Sequence, residues 1–245
     1  MAKKPRTPDP PRRVQAPKQR HAPRQGLTPD RLRMLLYGAG GAAAIGLVVA
    51  LIVVFAGGKS AAGNPESIAT TMKAAGCTLT TRPATKSGLH ITSFNQTVTY
   101  PTYPPVSGRH YYQPPIWGNY TQPVDPRQAV HAEEHGGVVI WIGPDVQEPE
   151  RQQISDFYDE SPNAMLVTPI ENTSKGVKYP KHAPPDAKIY LTAWTTKIED
   201  GTPTDGQDVI ATCPHFDEKA FAAFRDELRG RGPERFPVSI LTPGT

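Results

Sequence analysis

The chain has 245 residues, with Lys+Arg 27 against Asp+Glu 23, apolar residues at 37% and 28 prolines. Ten basic residues and two acids fall in residues 1–33, so that stretch carries +8 and the remainder −4. The basic balance therefore belongs to a tail, which argues against a globular nucleic-acid binder, and two cysteines exclude a disulfide-dense mini-protein.

In chain order, residues 1–33 hold seven prolines and almost no large apolar side chains. Such a segment buries too little surface to offset its ordering entropy, and is expected to be disordered. Residues 34–58 follow, 25 uncharged residues between Arg33 and Lys59. About 20 apolar residues cross a bilayer, so one transmembrane helix is expected. The basic flank places residues 1–33 in the cytoplasm and residues 59–245 outside, a single-pass plasma-membrane protein. A cleaved signal peptide is the rival, but the apolar run is about twice a normal signal core. Basic residues near the surface attract anionic lipid. Gly38, Ala42, Gly46 and Ala50 form a small-residue stripe on which a second membrane helix, or a second copy, can pack.

The outer segment reads as one α+β domain with a mixed or antiparallel sheet and flanking helices. Asn64-Pro65-Glu66 starts a helix with apolar Ile68, Met72 and Ala75, and Gly76 suits its end. Strands are expected near Leu89–Ser93 and Val98–Tyr100, and residues 101–126 read as an extended Pro- and aromatic-rich loop. A short helix over Arg127–His135 ends at Gly136-Gly137, and Val138–Ile142 is a buried strand. Then come a helix over Pro149–Tyr158 and strands over Ala164–Ile170, Ala187–Thr195 and Val209–Cys213. Asp217 caps a last helix with Ala220, Phe221, Phe224 and Leu228 on one face. Cys77 and Cys213 lie on the oxidising side, so a disulfide is expected; the alternative is a thiolate ligand near His215.

The densest chemistry lies in Val130-His131-Ala132-Glu133-Glu134-His135-Gly136-Gly137. On a helix His131 and His135 share a face and Glu134 lies near it. Two imidazoles at that spacing can bind one transition-metal ion, with Glu134 as third ligand or as acceptor for a ligand. His110, in a loop with Gly108, can fold back over the same place. The spacing His-x-x-Glu-His also fits the inverted zincin motif, but that motif sits on a long helix, and here glycines cut it at once. The bland alternative makes these histidines hydrogen-bonding residues of a polar core. His182 and His215 show no spacing that ties them to the cluster. In the loop, Tyr103, Tyr111, Tyr112, Trp117 and Tyr120 are concentrated among prolines. They either form a docking platform for an extended ligand or pack to fix the loop.

Ser107-Gly108-Arg109-His110, Gly118-Asn119-Tyr120, the His131–Gly137 run and Gly232-Pro233-Glu234 together resemble a bacterial family catalogued as domain of unknown function 3105. The resemblance spans roughly His90 to Glu234. It implies a membrane anchor and matches His110, His131, Glu134 and His135 to motif positions, but implies no activity. Glu133 departs from the pattern, which tends to have Leu there, and is expected to add a charge beside the site.

The sequence reading is thus a membrane-anchored α+β domain whose His110, His131, Glu134 and His135 bind copper or zinc, for metal handling or support of a membrane complex. The oxidising side favours copper. A metal-free envelope interaction module using the aromatic loop is the alternative, and a zinc-dependent hydrolase the third; binding is favoured over catalysis.

Overall fold

The structure is a computed structural model that describes residues 65–170, 174–180, 188–199 and 202–245. The basic tail, the expected membrane span with its Gly38/Ala42/Gly46/Ala50 stripe, the Asn64 cap and His182 all lie outside the described residues. Among the described residues, no helix is long and apolar enough to cross a membrane.

The described part is an α+β domain with four helices: α1 (Pro65–Ala74), α2 (Pro126–Glu134), α3 (Glu148–Glu160) and α4 (Glu218–Leu228). The strands are β1 (Thr78–Pro83), β2 (His90–Ile91), β3 (Val98–Thr99), β4 (His110–Tyr111), β5 (Gly118–Asn119), β6 (Val138–Ile142), β7 (Met165–Pro169), β8 (Val177–Lys178), β9 (Ile189–Glu199) and β10 (Thr202–Cys213). Six form one mixed sheet in the order β1-β10-β9-β6-β7-β5. From β1 to β6 the neighbours are antiparallel, while β6, β7 and β5 run parallel. α3 supplies the crossover that a parallel β6–β7 pair requires. Two parallel pairs, β2–β4 and β3–β8, stand apart from the sheet.

Helix starts follow local chemistry. The Asp125 side chain accepts from the Arg127 amide and Pro126 opens α2; Asp217 accepts from the Ala220 amide at the start of α4. β6 shows no polar alternation because both its faces are covered. Val138 and Ile140 meet Ile68, Met72, Phe157, Phe221 and Phe224 of α1, α3 and α4. Val139 and Trp141 meet Val124 and Ala129 on the other side, where α2 packs. The turn between α1 and β1 is joined to the end of β10 by the Cys77–Cys213 disulfide across 136 residues of sequence, which consumes both thiols and removes the thiolate-ligand alternative. On the chain-entropy estimate a loop of that size is worth about 4–5 kcal/mol.

Two features of the fold lie beyond the sequence expectation. β1 is a polar edge strand (Thr-Leu-Thr-Thr-Arg-Pro) with no apolar run to betray it. The loop over residues 101–126 contains β4 and β5, each of two residues. Strands that short carry no periodicity; their partners define them.

Candidate metal centre

α2 places the site. It is nine residues long and buried almost all round, with Arg127, His131, Glu133 and Glu134 all inside. His131 and Glu134, three apart, face the loops over residues 84–112. Glu133 turns to the sheet. The helix stops at once because Gly136 adopts φ +99, a conformation that L side chains rarely take. The chain then passes under Trp117, whose ring lies so close to Gly137 that a Cβ there would come within 2.6 Å of it.

The short pair β2–β4 does the rest. It sets His90 directly opposite His110 in register. The rings of His90 and His110 meet edge to face at 4.7 Å, and His90 stacks on His131 at 4.9 Å. His110 Nδ1–H donates to the Gly108 carbonyl at 2.7 Å. His131 Nδ1–H donates to the Tyr111 carbonyl, also at 2.7 Å. A carbonyl can only accept, so in each neutral ring the free lone pair is on Nε2. His110 Nε2 then faces Glu134 Oε2 at 2.9 Å, with both side chains fully buried. Neither atom has a hydrogen-bond donor from the rest of the protein. Two acceptors at that distance need a proton or a cation between them. Glu134 Oε1 is held by the Gly88 amide at 2.6 Å, and His90 Nε2 stands 3.4 Å from Oε2. One donor atom from each of His90, His110, His131 and Glu134 lies within 4.8 Å of all the others. Tetrahedral zinc with bonds of about 2.0–2.1 Å needs donors about 3.3 Å apart, so these separations suit one ion after small adjustment.

His135 stands one turn on, as the residue that ends α2. Its Nε2 is 3.1 Å from His131 Nε2 and 3.0 Å from Glu234 Oε2. His131, His135 and Glu234 make a second group of close donors. The Gly232-Pro233-Glu234 run has a steric reason. A Cβ on Gly232 would sit 2.6 Å from the Glu134 carbonyl, and the Glu234 amide donates to that carbonyl at 3.1 Å.

Electrostatics separate the groups. Burial raises the Glu134 pKa, but a hydrogen bond from His110 when its Nε2 carries a proton, the Gly88 amide, and the charges of His110 and His131 when protonated outweigh it and hold it down at about 2. Burial drives His131 down to about 4 and lowers His135 as well, so both rings keep their lone pairs at neutral pH. Glu133 corrects an expectation. It adds no charge at the cluster but lies against Thr192 and Asp208 of the sheet, where burial first and the Asp208 charge next push it well above the ordinary range.

Of the residues singled out from sequence, His110, His131 and Glu134 come together, and His135 adjoins them through His131. His90 and Glu234 were missed as donors. The sequence marked them only as the ends of the family resemblance, with no spacing that tied either to the cluster. His215 is in neither group; it lies exposed, 3.6 Å from Glu150. In the aromatic loop Trp117 is buried, Tyr103 packs edge-on against Tyr179 and Tyr190, and Tyr111 stacks on Phe94. The Tyr120 hydroxyl donates to the Ile116 carbonyl, and Tyr112 alone of these rings is largely exposed.

The fold and the site define an α+β domain with a buried His/Glu cluster that could bind a metal. The chain belongs to the family described as "Protein of unknown function (DUF3105)", which matches residues 90–235, more than half of its length. Among curated proteins and among solved structures, nothing matches it.

Proposed function

We propose that this protein binds one copper or zinc ion through His90, His110, His131 and Glu134, as a membrane-anchored metal-handling domain or a metal-stabilised part of a membrane complex. The observation that carries this reading is the buried His110 Nε2–Glu134 Oε2 contact at 2.9 Å: with His110 Nδ1–H committed to the Gly108 carbonyl, a proton or a cation must lie between the two atoms. Three imidazoles and a carboxylate suit zinc or Cu(II), and with both thiols in a disulfide no thiolate remains to favour Cu(I). The disulfide and the basic flank of residues 34–58 support an extracytoplasmic site, and oxidising surroundings favour copper. Hydrolase chemistry is less well supported. In the inverted-zincin scheme the carboxylate must be free to act as base, whereas Glu134 is occupied by the Gly88 amide and faces His110.

Titration calorimetry of the detergent-solubilised full chain with Zn²⁺ and with Cu²⁺ tests the reading. One ion per chain is expected for the wild type, and His110→Ala and His131→Ala should lose tight binding. Wild-type affinity equal to that of the double variant would leave the cluster as a proton-bridged polar core. The metal-free alternative rests on Tyr112 and Ile116, exposed at 46% and 59% beside a groove lined by Pro114, Pro115 and Pro123. It predicts capture of an extended peptide or glycan with no dependence on metal.

A further inference from the structure

The two donor groups share a single atom. His131 appears in both, and its Nδ1 is committed to the Tyr111 carbonyl. Only Nε2 is left, and it has one lone pair. An ion in either group therefore takes the ligand that the other group needs. The groups also differ in access. His110 and Glu134 have no exposed side-chain surface, whereas His135 is 16% and Glu234 33% exposed. Glu234 is seated on the end of α2 by its own amide, which donates to the Glu134 carbonyl. His90 is the one inner donor that reaches the surface, at 38%, and its ring lies stacked on His131 over the inner group.

We propose that the cluster is a two-position centre: an outer position of His131, His135 and Glu234 receives the ion, which then passes to the inner position of His90, His110, His131 and Glu134. This rests on the metal-binding reading above and adds a route to it. The step is a ligand exchange. The bond to His131 Nε2 persists, the bonds to His135 and Glu234 break, and bonds to His90, His110 and Glu134 form. No electron moves, His131 gains or loses no proton, and the proton that bridges His110 Nε2 and Glu134 Oε2 before the ion enters leaves to solvent. Three nitrogen and oxygen donors with open positions make the outer place the weaker one, and four donors in a dry pocket make the inner place the resting one.

The test uses Co²⁺ as a visible probe on the full chain. The wild type should bind one Co²⁺, never two. Glu234→Gln should slow both Co²⁺ uptake and release to a chelator about tenfold, which is about 1.4 kcal/mol in the barrier. Because both directions slow together, the affinity should change much less than the rates. His110→Ala should retain a weaker Co²⁺ signal that disappears when Glu234→Gln is added. Two Co²⁺ per chain would overturn the shared-ligand centre. Wild-type rates in Glu234→Gln and in His135→Asn would overturn the outer position and leave the inner site standing, with His90 as the route. A wild-type chain that binds no Co²⁺ would overturn the metal reading itself.

Discussion

Glu133 and Glu134 are adjacent, both carboxylates are fully buried, and they have opposite electrostatic fates. Glu134 faces two fixed imidazoles and a backbone amide and is held ionised, at about 2. Glu133 faces the sheet, where burial and the Asp208 charge push it up toward its neutral form. Burial penalises the charge in both; what differs is the partners that each face of α2 supplies. The site face sets imidazole lone pairs around an anion, as a cation site requires. The sheet face holds two acids that disfavour each other's charge. A buried carboxylate is therefore not by itself a ligand, and direction along one helix decides which of two neighbours can be.

The largest effect should come from breaking this asymmetry directly. Glu134→Gln removes the anion opposite His110 and should lower metal affinity by more than about 100-fold if Glu134 is a ligand, against about 10–100-fold if it only supports one. In the apo protein the cost should be smaller than the roughly 3–5 kcal/mol of a broken buried ion pair, because the new amide can donate to the His110 Nε2 lone pair. Glu133→Gln replaces a neutral carboxyl with a neutral amide. Its metal affinity should equal that of the wild type, with stability within about 1 kcal/mol. Calorimetric titration and urea unfolding measure both. Equal losses in the two variants would mean that the faces are not distinct.

The next effect is on the pH dependence of stability, measured by urea unfolding with chelator present. His131 is lowered from 6.5 to about 4. Its contribution is present above pH 6.5 and is lost as the pH falls toward 4, because only the unfolded chain binds the proton in that window. Asp208 is raised from 3.8 to about 6 by burial, against the Ser107 hydroxyl and Arg82. Its contribution is present below 3.8 and is lost as the pH rises through 6. Each shift corresponds to about 3 kcal/mol; the lowered His135 adds to the rising slope, and the raised Glu133 and Glu234 add to the falling one. Asp208→Asn should remove one falling slope, so that its stability relative to the wild type rises between pH 3.8 and about 6. His131→Asn, whose amide can still donate to the Tyr111 carbonyl, should show stability relative to the wild type falling across the same interval. Parallel profiles in the two variants would contradict the assignment.

The contrast also explains what could be read without coordinates. His131, Glu134 and His135 were legible because one short helix carries them, and helical spacing is a local property. Gly136 announced where that helix must stop. His90 was not legible because its place depends on a two-residue parallel pairing with β4, and a pairing across the intervening loop leaves no mark on either strand. Glu234 belongs to a tight glycine run whose purpose appears only when Gly232 is seen against the Glu134 carbonyl. The orientation of Glu133 was misjudged for a related reason. Its neighbours Thr192 and Asp208 lie on β9 and β10, and only the packing of α2 on the sheet brings them near. The apolar strand β6 and the disulfide were the easiest parts, one from its composition and the other from an even cysteine count.

A smaller effect should follow from loosening the loop that presents Glu234. In Gly232→Ala the new methyl must push the loop off the end of α2, because a backbone carbonyl stands 2.6 Å from it. Overpacking of this kind costs about 1–3 kcal/mol. The Glu234 carboxylate moves with the loop, so the variant should reproduce the slowed metal uptake of Glu234→Gln while the inner donors stay in place. Wild-type stability would mean that the loop yields freely and does not fix Glu234.

The smallest effect tests the sheet side alone. Arg82, 37% exposed, lies 3.8 Å from Asp208, the nearest cation to the buried acid pair. An ion pair with one exposed partner contributes about 0–1 kcal/mol, so Arg82→Ala should barely change stability at neutral pH. Its signature is a titration. Arg82 favours the charged form of Asp208 and lowers its pKa, although burial dominates. Without Arg82 the Asp208 carboxyl should titrate above about 6, a shift that carbon-detected NMR of the side-chain carboxyl can follow. By linkage, the Asp208 contribution to stability would then persist to higher pH before it is lost. The metal affinity should not move, because Asp208 and Arg82 lie on β10 and β1 of the sheet, the side of α2 toward which Glu133 turns. A change in metal affinity in Arg82→Ala would show that the two faces communicate through the helix, and the separation drawn from Glu133 and Glu134 would fail.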